Sequence, residues 1–303
     1  MKALVTGGSG FVGGHLRDYL ISMGDDMTML DPSIDIADEK ALSHGLDSLS
    51  GGPIETIYHL AALANVGESF GSSHEVFRVN VLGTLNLLEA ARRVFPSARV
   101  IVVSSSEVYG RVSPNLLPVD EDLPVAPLSP YAASKAAAEQ VAMQAFRAYG
   151  QQVIIARPFN HIGPGQSDSY VVSALAKRVL LAQKDGIGSI RVGNLESRRD
   201  FTDVRDVVRA YRRMAEAGVA GTVYNVGSGQ SVPISWLADR IIRLAGAEVV
   251  LERDPRLVRD VEVSDIYGDS SRCRSQLSWE PVISIEESLK DVLEWWSIRL
   301  EVD

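Results

Sequence analysis

Cysteine is almost missing: Cys273 stands alone in 303 residues, so no disulfide can form within the chain and a bridge-stapled fold is excluded. Lysine is scarce as well, supplying only six of the 30 basic residues, and arginine supplies the rest. No apolar run approaches the ~18 residues of a membrane span. The opening Met-Lys-Ala-Leu-Val runs straight into a strand pattern with no charged n-region or cleavage site, so the expectation is a cytoplasmic chain without a membrane partner. The formal charge of −9, from 39 acidic against 30 basic residues, works against attraction to nucleic acid or anionic lipid by the bulk field. Internal repeats, low-complexity tracts and long linkers are absent.

What is present is enough apolar material, 46% of the residues, to bury a large core without a disulfide or a structural metal. At ~150 residues per domain the length allows two domains, or one large α/β domain with an appendage. Short apolar runs at residues 2–6, 27–30, 54–60, 100–104 and 153–156 read as strands. Between them lie helix-compatible segments, notably 11–23, 84–94 and 131–149. Such alternation predicts an α/β fold, a Rossmann-type doubly wound parallel sheet. Beyond Gly163-Pro164-Gly165-Gln166 the pattern loosens into helices at 171–184, 203–217, 234–246 and 285–299 with strands at 190–192 and 223–226. The expected division is a dinucleotide-binding domain over 1–160 and a smaller α/β substrate-binding region over 161–303, with chain exchange between the two allowed. The second part is the richer in cations, with nineteen basic residues against eleven, and its guanidinium forks suit bidentate phosphate recognition.

Thr6-Gly7-Gly8-Ser9-Gly10-Phe11-Val12-Gly13 joins the first strand to the first helix, with Gly7, Gly10 and Gly13 in the spacing G-x-x-G-x-x-G. Gly7 serves the tight turn, Gly10 lets the backbone approach a pyrophosphate and Gly13 lets helix and strand pack closely, while the free N–H groups at Phe11 and Val12 face the anion. Asp31, eighteen residues after Gly13, ends the second strand where a carboxylate accepts from the adenosine ribose hydroxyls. No Lys or Arg lies between Arg17 and Lys40, and Asp31 repels a 2′-phosphate, so the expected cofactor is NAD(P)H with NADH favoured. Asp35 and Ile36 are candidates for the adenine, with a loop capping role for Asp35 as the plain alternative.

Tyr131-Ala132-Ala133-Ser134-Lys135 opens a helix after Ser129-Pro130, and its i, i+4 spacing puts phenol and ammonium on one face. A cation there lowers the phenol pKa toward that of a general acid–base. Alone the pair is common. Its weight comes from Val103-Ser104-Ser105-Ser106-Glu107, which sends hydroxyls out at the carboxyl edge of the preceding strand, where doubly wound folds bind ligands.

With these motifs the sequence resembles the extended short-chain dehydrogenase/reductases, the epimerases, dehydratases and reductases of nucleotide sugars. The resemblance covers essentially the whole chain. Leu60-Ala61-Ala62 after His59, Asn80-Val81 and Arg157-Pro158-Phe159-Asn160 match that family's cofactor-lining strings, as does Ser104. The resemblance implies that Ser105 polarises a sugar carbonyl, Tyr131 moves the proton, and Lys135 binds the nicotinamide ribose while tuning Tyr131. Asn160-His161-Ile162-Gly163-Pro164-Gly165-Gln166, Val192-Gly193-Asn194-Leu195-Glu196, Arg199-Asp200-Phe201-Thr202-Asp203-Val204-Arg205-Asp206 and Tyr224-Asn225-Val226 are similar to family members that reduce the 4-keto group of GDP-linked 6-deoxy sugars. In the matching positions the resemblance implies that Asn160 contacts the sugar or the diphosphate, Arg199 and Arg259 the diphosphate and Glu262 the nucleoside ribose, with Ser106 and Arg191 also among the substrate-binding residues.

Three alternatives stay open. Glu107, two residues after Ser105, is placed for the carbon-acid chemistry of a 4,6-dehydratase; another nucleotide-sugar epimerase or reductase is the second, and a cofactor-binding regulator without turnover the third. Leu85, Leu87, Leu88 and Ala91 on one helix and Ala132, Ala136, Val141 and Ala145 on another exceed a single buried stripe. The resemblance implies that these helices pair with their twofold mates as a four-helix bundle in a homodimer.

Overall fold

The computed structural model describes residues 1–257 and 263–302. In chain order the strands are β1 (Lys2–Thr6), β2 (Asp26–Met29), β3 (Thr56–His59), β4 (Arg99–Val103), β5 (Val153–Pro158), β6 (Asn160–Ile162), β7 (Ser189–Val192), β8 (Arg198–Asp203), β9 (Val223–Val226), β10 (Ser231–Pro233), β11 (Val250–Arg253) and β12 (Asp265–Ile266). The helices are α1 (Phe11–Ser22), α2 (Glu39–Ser48), α3 (Val66–Ser69), α4 (Ser73–Phe77), α5 (Gly83–Val94), α6 (Pro130–Tyr149), α7 (Val171–Asp185), α8 (Val204–Ala217), α9 (Ile234–Ala245), α10 (Ser271–Leu277) and α11 (Ile285–Val302). A π-helical turn, Arg78–Leu82, joins α4 to α5.

The main sheet is parallel throughout, in the order β2-β1-β3-β4-β5-β9. Its central strands are buried on both faces, which is why they read as continuous apolar runs rather than alternating ones. Two apolar layers cover it. On one face α1, α8 and α10 bring Leu16, Leu20, Val207, Tyr211, Met214 and Leu277. On the other, α2, α5 and α6 bring Leu42, Leu46, Leu87, Leu88, Ala142 and Ala145. Chain order reverses between β1 and β3, so the carboxyl ends of those strands form the topological switch point at which such sheets bind ligands.

The sheet takes its last strand, β9, from beyond residue 160, and α8 and α10 join its outer layer. The remaining chain folds over the carboxyl edge. There β8 pairs with β10, β12 and β6, β7 pairs with β11, and α7, α9 and α11 enclose a separate apolar core around Leu175, Leu237, Leu289 and Trp296. The aspartates of the 199–206 string tie these parts together. Asp200 accepts from the backbone of Ser228, Gly229 and Gly268, Asp203 from Ser288 and Arg205, and Asp206 from the N–H groups of Val282 and Ile283.

Of the apolar residues read as surplus on α5 and α6, Leu87, Leu88, Ala91, Ala132 and Ala145 enter the core of their own chain. Leu85, Ala136 and Val141 stay only partly covered.

Candidate active site

The glycine turn occupies the switch point. Gly7 sits at φ +70°, and a Cβ there would lie 2.6 Å from Ala61 N, so both its conformation and the neighbouring β3 exit exclude a side chain. At Gly13 a Cβ would meet Gly7 O at 2.4 Å, because α1 starts hard against the turn. Gly10 differs: the nearest atom is Gly7 O at 3.4 Å, so the protein itself tolerates a methyl there, and the space beyond is what needs to stay clear. Gly10 is also the N-cap of α1 and offers no side-chain cap, which leaves the first N–H groups of Phe11, Val12 and Gly13 for an anion. Phe11 and Val12 contribute backbone only: the Phe11 ring packs edge-on to His15 and parallel to His161, and Val12 packs into the core. His15 is hydrogen-bonded to Pro164 O at 2.8 Å, which fastens the Gly163–Gln166 turn beside this helix start.

A cavity of about 280 Å³ opens beside the turn, lined among others by Gly7, Asp31, Asp35, Ile36, Ala61 and Ala62. Leu60 lies just behind this lining, where its carbonyl carbon would be 2.9 Å from a Cβ on Gly7. Asp31 is exposed and accepts from Ser33 N and Oγ, which hold its carboxyl below the usual range. Asp35 caps Ala37 N with one oxygen and meets Arg78 at 2.7 Å with the other, so its role is also that of a loop anchor. Arg78 is the cation that local sequence could not place here, and it is shared between Asp35 and Glu75. A glycine-lined cavity, uncapped helix N–H groups and a ribose-seeking carboxylate fit a nicotinamide dinucleotide.

The far wall is held by polar ties. Asn80, buried in the π turn, accepts from Leu63 N at 2.8 Å and donates to Leu63 O and to Ser134 Oγ, which clamps the 60–63 loop to α6 beside Lys135. His59 is hydrogen-bonded on both ring nitrogens, to Thr6 and Thr84. The Thr84 hydroxyl donates to Asn80 O, so Nε2 of His59 carries the proton and Nδ1 accepts from Thr6. Burial pushes this imidazole down to about 3, with Lys135 adding to the effect, and it stays neutral.

Ser129 caps α6 by accepting from Ala132 N at 3.1 Å, and Pro130 occupies the first helical position. Tyr131 and Lys135 follow on the same face, both buried. Ser105 acts on the Tyr131 phenol; it emerges from β4 and also caps the 106–109 turn by accepting from Glu107 N. The expected lowering of Tyr131 by Lys135 is corrected. Burial pushes the phenol above its ordinary value; Ser105 opposes this, and Glu107 and Tyr170 reinforce it. Lys135 does not act on it because its amine is turned to Val103 O at 2.8 Å; burial pushes the amine itself down to about 8, with Glu139 opposing.

The side chains of two expected cofactor-lining residues are engaged within the protein: Glu139 takes the Arg157 fork at 2.8 and 2.7 Å, and Ser104 donates to that same carboxylate. Glu139 escaped the motif reading, although Tyr131, Lys135 and Glu139 form an i, i+4 polar stripe in an Ala-rich helix. Ser106 is buried in the turn after Ser105, and Asn160 opens β6, half-buried. Arg199 donates to the carbonyls of Arg198 and Val263, and Arg191 projects into solvent 3.8 Å from Asp254. Arg259 and Glu262 lie outside the described residues.

Fold and site define a short-chain dehydrogenase/reductase, an enzyme that works with a nicotinamide cofactor. More narrowly, the chain belongs to the GDP-mannose 4,6-dehydratase family, whose model matches residues 32–292. It is 37% identical to GDP-6-deoxy-D-mannose reductase of Pseudomonas aeruginosa over 99% of this chain and 98% of that one. The structure of that organism's RMD complexed with NADPH superposes with a TM-score of 0.90 at 37% identity, covering 99% of this chain and 100% of the other. UDP-glucose 4-epimerase of Thermotoga maritima with UDP-glucose also reaches a TM-score of 0.90, at 28% identity and covering 99% and 100% of the two chains. The fold is therefore shared by proteins named for different reactions.

Proposed function

We propose that this protein reduces the 4-keto group of a nucleotide-linked 6-deoxy sugar, GDP-4-keto-6-deoxy-D-mannose, to GDP-D-rhamnose. The arrangement that carries the reading is the pairing of the Tyr131 and Ser105 side chains, with Lys135 one turn along α6, in a fold whose glycine turn opens onto a cavity suited to a dinucleotide. Likeness to a reductase over the full chain supports the choice of sugar. When bound, the dihydronicotinamide supplies the hydride for C4. Ser105 Oγ–H donates to the ketone oxygen and polarises it. Tyr131 O–H gives that oxygen its proton, Ser105 favours the resulting phenolate, and Lys135 serves the nicotinamide ribose. Gly7, Gly10 and Gly13, with the N–H groups of Phe11 and Val12, hold the pyrophosphate; Asp31 accepts from the adenosine ribose; Ile36, Ala61 and Ala62 flank the base and ribose. Asn160, Ser106, Arg191, Arg199, Arg259 and Glu262 serve the nucleotide sugar.

NADH is the preferred cofactor. The adenosine end holds Asp31, Asp35 and Glu75 against one cation, Arg78, and two of these carboxylates already neutralise it, so a 2′-phosphate meets net negative charge. The protein works in the cytoplasm, where nicotinamide nucleotides are kept, as a homodimer formed through α5 and α6. Exposed Phe77 and Leu82, and the partly covered Leu85 and Val141, support that pairing.

A second reading, GDP-mannose 4,6-dehydratase, is favoured by one observation: Glu107 follows Ser105 in the turn after β4 and its charge acts on the Tyr131 phenol, which would make it a second base for that chemistry. Incubation with GDP-mannose and NAD⁺ separates the two. The reductase leaves GDP-mannose unchanged and oxidises NADH when given the preformed 4-ketone, whereas accumulation of a 4-keto sugar from GDP-mannose overturns the proposal.

A further inference from the structure

Lys135 and Glu139 occupy successive turns on one face of α6, and each grips a successive residue of the chain leaving β4. Lys135 Nζ donates to Val103 O at 2.8 Å, and Ser104 Oγ donates to Glu139 Oε1 at 2.5 Å. The next residue is Ser105. Glu139 is 2% exposed, and both of its oxygens receive the Arg157 fork. Arg157 reaches onward to Tyr109 OH at 2.9 Å and Glu121 O at 3.2 Å. A buried ion pair is a poor way to gain stability, because apolar side chains of similar volume generally hold a core as well or better. Its charge therefore calls for another use, and its neighbours supply one.

We propose that Glu139 is a positioning residue for the reaction, locking the Ser105 strand exit and the Tyr131/Lys135 face of α6 into one register, with Arg157 as its counter-ion. The proposal rests on the reading of Ser105, Tyr131 and Lys135 given above. The carboxylate also keeps Lys135 an ammonium against the burial that draws its proton off. Other ionisable groups on the elements packed against α6 leave that task to Glu139. His59 on β3 is neutral, Glu75 and Arg78 pair with each other, and α5 brings Arg92 over Tyr149 at the far end of α6. Glu107 on the 106–109 turn acts on Tyr131, and Glu68 on α3 acts on Tyr170.

The test reads Lys135 directly in the full-length protein. With only six lysines, [¹³Cε]lysine spectra resolve it, and Lys135→Arg assigns the signal. Glu139→Gln removes the carboxylate that supports the Lys135 ammonium, strands the Arg157 charge in the same buried cluster, and lowers the lysine midpoint by about one pH unit or more. Adding Arg157→Met removes the stranded charge and brings the midpoint part of the way back, still below wild type. In both variants kcat falls by about tenfold or more while KM for NADH stays within about threefold. A double variant with the wild-type midpoint and kcat overturns the proposal, and so does one whose midpoint falls below that of Glu139→Gln, since a merely structural pair loosens further with each loss. If Glu139→Gln does not fold, the double variant decides alone against wild type. The midpoint needs no sugar, so its failure is distinct from failure of the substrate assignment.

Discussion

At the scale of single residues, the three glycines of the turn do separable things. Gly13→Ala pushes a methyl into Gly7 O and Gly8 Cα, and is expected to cost about 1–3 kcal/mol in chemical denaturation. Gly10→Ala has room in the protein and is expected to leave stability within about 0.5 kcal/mol while weakening cofactor binding at least about tenfold by fluorescence titration. Equal losses of stability in the two variants would contradict this division. For Tyr131→Phe the expected loss is about 10²–10⁴ in kcat, with cofactor binding retained. Turnover surviving that change removes the phenol from the mechanism. His59 carries part of the pH dependence, alongside His161, which burial lowers as well. The folded value of His59, about 3, lies below the unfolded 6.5, so the unfolded chain binds the extra proton between those limits. Stability from this group is complete above the unfolded value and is lost as pH falls, at up to about 1.4 kcal/mol per pH unit. His59→Gln should flatten that slope in denaturation measured between pH 7 and 5.

Among elements, α6 is the one on which the site depends. Its N-cap, Ser129, sits two residues before Tyr131, so fraying of the first turn moves the phenol away from Ser105. Ser129→Ala is expected to cost about 1 kcal/mol in stability and to lower kcat more than it raises KM for the cofactor. Ser129→Asp, which also caps, should recover both. A cap loss seen in stability alone would show that the first turn is held by its packing instead.

For the whole molecule, the carboxyl-terminal half is part of the first half's architecture. β9 covers the open edge of β5, and α8 and α10 supply much of one apolar layer. A fragment of residues 1–160 leaves that edge and layer exposed and is expected to aggregate or to lack protected amides in hydrogen exchange. Association belongs to this scale too. Leu82→Glu on the exposed helical surface should give a monomer by light scattering, at protein concentrations where the wild type is a dimer. A wild type that is monomeric at assay concentration rules the pairing out.

Much of this was legible from sequence because it is local. A Cβ cannot occupy Gly7, apolar runs of five residues cannot be other than buried strands in this context, and an i, i+4 pair must share a helix face. Those rules placed the parallel sheet, the glycine turn and the Tyr131/Lys135 pair. Only the tertiary structure could decide what depends on distant chain. Arg78 answers Asp35 across 43 positions, Glu139 gathers the Arg157 fork and the Ser104 hydroxyl, and burial rather than Lys135 governs the Tyr131 phenol. The physical reason is the same in each case. Charge and desolvation are summed over everything within a few ångströms, and sequence spacing does not report which charges those are.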